Sequence, residues 1–379
     1  MDYSKLPHVG TTIFTVMSKM AADCNAINLS QGYPGFNCDP FLQELVTKYM
    51  RQGFNQYAPM SGVPILKEKV AEKFQTCYQT KYDSDAEVTI VSGATEAIYA
   101  AITAVIRPGD EVILLEPAYD SYAPAVLLCG GVPIYIPLCL PDFSINWEKV
   151  KEAITDKTKL VMVNTPHNPS GYMWTKEDLD SLAGLLRNRE IYVVSDEVYE
   201  HITFDGRKHV PVASHPDLYD KTFTCGSFGK TFHVTGWKIG YCLAPARLTA
   251  EFRKMHQFIT FSTPTPLQYA LAEFLDHPEH YLTLPEFYQK KRDLFCEGLM
   301  QTRFTFEPAQ GSFFQLVRYG HFSEEKDYDF AVRMTQKSGV ASIPISVFYN
   351  NKTDHKILRF CFAKNDEDLY KSLELLSKI

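Results

Sequence analysis

The sequence predicts an α/β fold, a mainly parallel sheet wrapped by helices, joined to a smaller α+β domain. Three observations predict it. Between about residues 88 and 244, short apolar runs alternate with stretches whose apolar residues recur every three or four positions. Those runs lack polar–apolar alternation, so they read as strands covered on both faces. The last third changes character, with strands following a long helical stretch, and 379 residues suffice for two domains.

Taken in order, residues 1–40 are expected to pack beside the C-terminal third. Val88-Thr89-Ile90-Val91 is the first strand, with a helix over 95–107 after it. Glu111-Val112-Ile113-Leu114-Leu115 is the second, leading to a helix over 119–129. From Ser121 to Pro141 no charge occurs over twenty-one residues, the length of a membrane span. Pro124, Pro133, Pro137 and the Gly130-Gly131 pair divide that stretch instead into helix, turn and buried strand. Lys159-Leu160-Val161-Met162-Val163 and Ile191-Tyr192-Val193-Val194 flank a helix over 175–189. One long helix over 279–300 opens the last third, with strands at 305–306, 311–317 and 357–362 and a closing helix over 366–378. The expected division is a large domain, 41–285, and a small one formed by 1–40 with 286–379.

Composition narrows the function. Net charge is −7 without a dense basic cluster, which argues against nucleic acid as partner. Met1 to Gly10 shows no basic-then-apolar leader, and no membrane association is expected. Nine scattered cysteines, an odd number with no C-x-x-C pair, read as reduced thiols of a cytoplasmic protein. His277-Pro278-Glu279-His280 lacks metal-ligand spacing, so no metal is expected.

Ligands collect at the carboxyl ends of strands in such sheets, and the polar candidates fall there. Lys230 lies in Ser227-Phe228-Gly229-Lys230-Thr231, thirty-four residues after Asp196, and Lys238 follows in a Gly-Trp-Lys-x-Gly turn. The Lys230 amine could form a Schiff base. A carboxylate at Asp196 would keep a pyridine nitrogen protonated, because an adjacent anion raises the pKa of a cation. Asn168, after another strand, suits a phenolate oxygen, and Tyr199 could reach the same atom. Ser92-Gly93-Ala94-Thr95 runs from strand straight into helix, where amides and dipole favour an anion. Ser227 would add a hydroxyl there and Lys238 a point charge. Tyr119 is placed to stack on a ring. Arg359 is the one positive charge in an apolar strand, and it requires an anion: a substrate carboxylate or an internal salt bridge.

Singly, each has a bland reading: Asp196 caps a turn, Asn168 begins one, Tyr199 packs, and Lys238 is a solvated lysine. Jointly they describe a site for pyridoxal 5′-phosphate. A nucleotide-binding reading of Gly229-Lys230-Thr231 fails, because a P-loop requires glycine at position 224 and Thr224 stands there.

Seven runs carry a family resemblance: Asn28-Leu29-Ser30-Gln31-Gly32-Tyr33-Pro34, Asn55-Gln56-Tyr57-Ala58-Pro59, residues 164–171, Ser195-Asp196-Glu197-Val198-Tyr199, and residues 227–230, 235–240 and 358–364. Through them the chain resembles class I aminotransferases of fold type I, within the branch of methionine, kynurenine and glutamine aminotransferases. Residues 10–14 and 198–201 bring it nearest to bacterial-type methionine aminotransferases. The resemblance implies that Lys230 carries the coenzyme and Asp196 pairs with its ring nitrogen, while Asn168 and Tyr199 hold the ring oxygen. It places Ala94, Thr95, Ser227 and Lys238 on the phosphate, joined by Tyr57 from a second subunit of a homodimer. Asn168, Arg359 and the Gly32 backbone would receive the substrate carboxylate. Phe14, Tyr33, Tyr57, Tyr119 and Phe261 give the expected pocket an aromatic lining. The large domain, 41–285, would hold the coenzyme.

The activity so implied is ping-pong transfer of an amino group from methionine, or another apolar or aromatic amino acid, to a 2-oxo acid. A cysteine-conjugate carbon–sulfur β-lyase shares every coenzyme residue, and kynurenine or glutamine aminotransferase is the other alternative. Lys238 stands where much of the wider class has Arg, and Phe14 where kynurenine aminotransferases usually carry Trp.

Overall fold

The computed structural model describes residues 4–379. Met1 to Tyr3 lie outside the described residues, so the expectation for 1–40 bears on 4–40. Seven strands form the central sheet: β1 (Val88–Val91), β2 (Glu111–Glu116), β3 (Val132–Pro137), β4 (Thr158–Asn164), β5 (Tyr192–Asp196), β6 (Thr222–Ser227) and β7 (Gly240–Leu243). Across the sheet they lie in the order β1-β7-β6-β5-β4-β2-β3. All neighbouring pairs from β6 to β3 are parallel, whereas β7 runs antiparallel to both β1 and β6. The predicted α/β fold is therefore present. Successive side chains serve opposite faces: Val161, Val163 and Val193 join one apolar core, and Leu160, Met162 and Val194 the other.

The reversed β7 has a geometric consequence. Its amino end lies on the same edge of the sheet as the carboxyl ends of β1, β2, β4, β5 and β6. Segments leaving or entering the sheet at six strands thus converge on one edge.

A second sheet has three antiparallel strands, β8 (Phe314–Arg318), β9 (Ile343–Pro344) and β10 (Ile357–Cys361), in the order β9-β10-β8. The N-terminal segment is stitched to this region. Ile27–Asn28 pairs in parallel with Val340–Ala341, and the Cys361 N–H donates to the Leu29 carbonyl at 2.8 Å.

Several elements differ from expectation, each for a physical reason. The helix expected over 119–129 runs Tyr122–Leu128, because Pro124 is tolerated only in a first turn. The helix expected over 95–107 runs Gly93–Val105, stopping ahead of Pro108. The helix over 175–189 is Lys176–Leu186, fixed by a capping box between Thr175 and Asp178. The single helix over 279–300 is two, Glu279–Leu282 and Leu284–Leu299, with Pro285 opening the second. The strand after Gly131 is half-exposed rather than buried, since β3 is an edge strand, which also accommodates Pro133 and Pro137. Residues 305–306 give only a bridge from Thr305 to Arg318. No helix is long and apolar enough to cross a membrane among the described residues.

Candidate active site

The converging edge of the main sheet opens into a cavity of about 270 Å³. Strand ends of the main sheet and the loops that follow them supply much of its wall, and the N-terminal segment and the second sheet supply the rest. After β4, Asn164 pins two segments together. Its Nδ2 donates to the Asp196 carbonyl at 2.9 Å, and its Oδ1 accepts the Asn168 N–H at 2.7 Å. The loop bearing Asn168 is thereby locked to the end of β5.

Asp196 ends β5 and is 5 % exposed. The Tyr122 hydroxyl donates to its Oδ2 at 2.6 Å, and the Val198 N–H to Oδ1 at 3.3 Å. Burial pushes the carboxyl up to about 6, with the Tyr122 hydrogen bond and Lys230 acting in the opposite direction.

Ser227 ends β6, and its hydroxyl accepts the Gly229 N–H at 3.1 Å, capping the short helix Phe228–Thr231. Lys230 stands on that turn, half-buried, with its ammonium 5.1 Å from the Phe313 ring centre and 5.7 Å from that of Tyr199. Its Nζ donates to the Gly32 carbonyl at 2.7 Å. Burial brings this amine down to about 8; Arg359 and Lys238 act in the same sense, and Asp196 opposes them.

The first turn of the helix Gly93–Val105 forms a cup with Lys238. Gly93 has φ +73°, and a Cβ there would lie 3.0 Å from the Lys238 Nζ. The left-handed backbone favours glycine here, and a side chain would also crowd the tip of Lys238. Ala94 and Thr95, the next two residues, line the cavity together with Ser227 and Lys238. The arrangement offers free helix-end amides, a hydroxyl and a cation to one anion.

Arg359, on β10, is fully buried. It donates to Asn168 Oδ1 at 2.8 Å and to the Ser30 carbonyl at 3.0 Å, while its Nε has no partner. No carboxylate pairs with it among the described residues, so the internal salt bridge is absent. Its guanidinium packs 3.9 Å from the Phe314 ring centre and 5.3 Å from that of Phe14. Burial holds it down to about 10. Because Arg359 can only donate, the oxygen of Asn168 must face it, leaving the Nδ2 hydrogens directed elsewhere.

Lys230, Asp196, Asn168, Tyr199, Ala94, Thr95, Ser227, Lys238, Tyr119, Phe14, Gly32 and Arg359 all line this one cavity. Tyr33, Tyr57 and Phe261 do not. Tyr33 is half-exposed, with the Lys364 ammonium 4.6 Å from its ring centre. Tyr57 is 85 % exposed and meets the Phe261 ring edge-on at 5.4 Å, away from the cavity of its own chain. Tyr122, Gln31, Thr235, Ile98, Val198 and Phe314 were not among the predicted site residues. Of these, Gln31, Val198 and Thr235 lie inside the runs that carry the family resemblance. Tyr122 gave no signal, since it meets Asp196 across 74 residues of chain.

Residues 25–376 match the family described as aminotransferase class I and II. This chain belongs to that family. It is 48 % identical to the methionine aminotransferase of Escherichia coli K12 over 99 % of its own length and 98 % of that protein. A crystal structure of the Escherichia coli protein YbdL, identified as a methionine aminotransferase, superposes with a TM-score of 0.98 at 47 % identity, covering both chains fully. The aminotransferase is also 33 % identical to a kynurenine–oxoglutarate transaminase of Dictyostelium discoideum, over 98 % of this chain and 94 % of that one.

Proposed function

We propose that this aminotransferase takes the amino group of methionine, or of another apolar or aromatic L-amino acid, and passes it to a 2-oxo acid with pyridoxal 5′-phosphate as coenzyme. The observation that carries the reading is the Arg359 guanidinium, buried without an anion on the wall shared with Lys230 and Asp196. A buried cation of that kind calls for a carboxylate from outside the chain. The identity to methionine aminotransferase supports the choice of donor, as does the apolar wall formed by Phe14, Tyr119, Ile98 and Phe314.

The residues fit the coenzyme. The glycine-lined cup suits a phosphate, and the buried Asp196 carboxylate suits a protonated ring nitrogen. Lys230 would carry the group, Asn168 and Tyr199 would hold its ring oxygen, Tyr119 would cover its face, and Ala94, Thr95, Ser227 and Lys238 would hold its phosphate. When bound, it supplies a reactive aldehyde carbon and an electron sink. The chain's own residues do the remainder. Arg359, the Asn168 amide and the Gly32 segment grip the substrate carboxylate, which fixes the direction in which Cα points. Lys230 then removes the Cα proton, and an amine near 8 is well matched to that exchange at neutral pH.

Capture of the coenzyme by the stripped protein carries a pH signature. The neutral amine is the nucleophile, and below about 8 each unit of pH raises its fraction tenfold. The uptake rate should therefore climb from pH 6 and level off above pH 8; a flat profile would place the amine's transition elsewhere.

Steady-state rates with Met, Phe, Tyr, Leu, kynurenine, Gln and Asp test the donor. Apolar pockets discriminate by only about 1–3 kcal/mol per methylene, so Met should lead with Phe, Tyr and Leu following within roughly 10–200-fold. Asp as the best donor would overturn the reading, since among the described residues no cation faces the cavity besides Arg359, Lys230 and Lys238, and the last two serve the coenzyme.

We further infer a homodimer in which Tyr57 of one copy completes the phosphate site of the other. The exposed aromatic group of Tyr57, Phe258 and Phe261 supports this. All nine cysteines are free thiols, in keeping with a cytoplasmic setting. The division into 41–285 and 1–40 with 286–379 is supported by the pairing of Ile27–Asn28 with Val340–Ala341.

A further inference from the structure

Asp196 is gripped from outside its own strand. Tyr122 and Asp196 are both buried, and among the described residues their hydrogen bond at 2.6 Å is the one direct side-chain bond that the carboxylate makes. Tyr122 opens the helix Tyr122–Leu128, and its N–H donates to the Tyr119 carbonyl at 3.2 Å. The rings of these two tyrosines meet at 5.7 Å with an angle of 71°. One turn of chain thus supplies both the ring on the cavity wall and the phenol that holds the acid.

Resting on the coenzyme reading above, we propose that Tyr122 is a positioning residue that fixes one oxygen of Asp196 and leaves the other to the coenzyme's ring nitrogen. A carboxylate with free rotation would divide its time between orientations; one tied at Oδ2 presents Oδ1 in a single direction. The bond also favours the ionised acid against burial, because a phenol donates best to a charged oxygen.

The other groups that face Asp196 do not substitute for Tyr122. Lys230, from the turn after β6, pulls the acid down by charge alone, and Glu197, its chain neighbour, pushes it up. Tyr119, Tyr199 and Cys225 are all raised by burial, hence neutral at ordinary pH, and none bonds to the carboxylate. The Val198 N–H reaches Oδ1 at 3.3 Å, a longer contact from the same strand's own turn.

The test compares holoenzyme forms of the wild type, Tyr122→Phe, Asp196→Asn and the double variant. Phenylalanine keeps the ring, so the packing against Tyr119 is retained. Four quantities are read: the pH midpoint of the visible coenzyme band, the coenzyme dissociation constant, and kcat and KM for methionine. Without its fixed partner the ring nitrogen loses positive charge, and the nitrogen of Lys230 holds its own proton more tightly.

Tyr122→Phe should therefore move the midpoint upward, weaken coenzyme binding roughly tenfold and lower kcat about tenfold with KM little changed. In the Asp196→Asn background the same change should have almost no effect. An unmoved midpoint in Tyr122→Phe, or an equal loss with and without the acid at 196, would overturn the proposal and leave Tyr122 as packing. A wild type that shows no visible band at all would overturn the coenzyme reading, and this proposal with it. A normal wild-type band with an indifferent Tyr122→Phe defeats this proposal alone.

Discussion

Lys230→Ala should lower turnover by roughly 10³-fold or more while the protein still binds the coenzyme through its phosphate. Proton transfer by a positioned side chain contributes typically ~10²–10⁴-fold, and among the described residues Lys230 is the only amine on the cavity wall besides Lys238, which lies beside Gly93 in the cup. Removing it leaves Ser227, Ala94, Thr95 and Lys238 in place, so phosphate binding survives. It also frees the Gly32 carbonyl, which Lys230 holds at 2.7 Å. Equilibrium binding of the coenzyme, measured beside single-turnover rates, separates the two roles. Turnover within tenfold of wild type would show that the proton moves by another route.

Arg359→Met should lower kcat/KM by roughly 10²–10⁴-fold, mostly through KM. Two charge-assisted hydrogen bonds to a carboxylate are worth about 1.5–3 kcal/mol each, and about 1.4 kcal/mol is a factor of ten. The effect on stability should be far smaller, because two contributions oppose each other. Methionine ends the cost of burying a guanidinium without an anion, yet it strips partners from Asn168 Oδ1 and the Ser30 carbonyl. A non-reactive carboxylate analogue of methionine should raise the Tm of the wild type and leave that of the variant unmoved. A fall in kcat/KM of less than fivefold would mean that the carboxylate is held elsewhere.

Much of this site was legible because its residues lie within a few positions of strand ends that announce themselves as apolar runs. Asp196 ends such a run, Asn168 follows one, and Gly93 joins one to a helix. Arg359 stood out as a charge where its neighbours forbid one. Strands β6 and β7 were not legible: Thr, Cys, Gly and Ser dilute the first, and the second opens on Gly240, inside the glycine-rich turn that carries Lys238. The break at Pro285 hid inside a periodic apolar pattern that continues on both sides of it. Tyr122 was invisible for a different reason, since its partner comes from another strand and local sequence carries no trace of that meeting. Tyr57 and Phe261 are a different case: the resemblance assigns Tyr57 to the site of a second subunit, and both lie outside the cavity of their own chain.

The pairing of the first thirty residues with the last forty has a bearing on how the protein is made. Arg359 donates one of its two hydrogen bonds to the carbonyl of Ser30, 329 residues earlier, and the strand that carries it bonds to Leu29. During synthesis the early segment must therefore wait, unpaired, until nearly the whole polypeptide has left the ribosome. The main sheet can assemble ahead of that moment, but an amino acid finds no grip until the tail arrives.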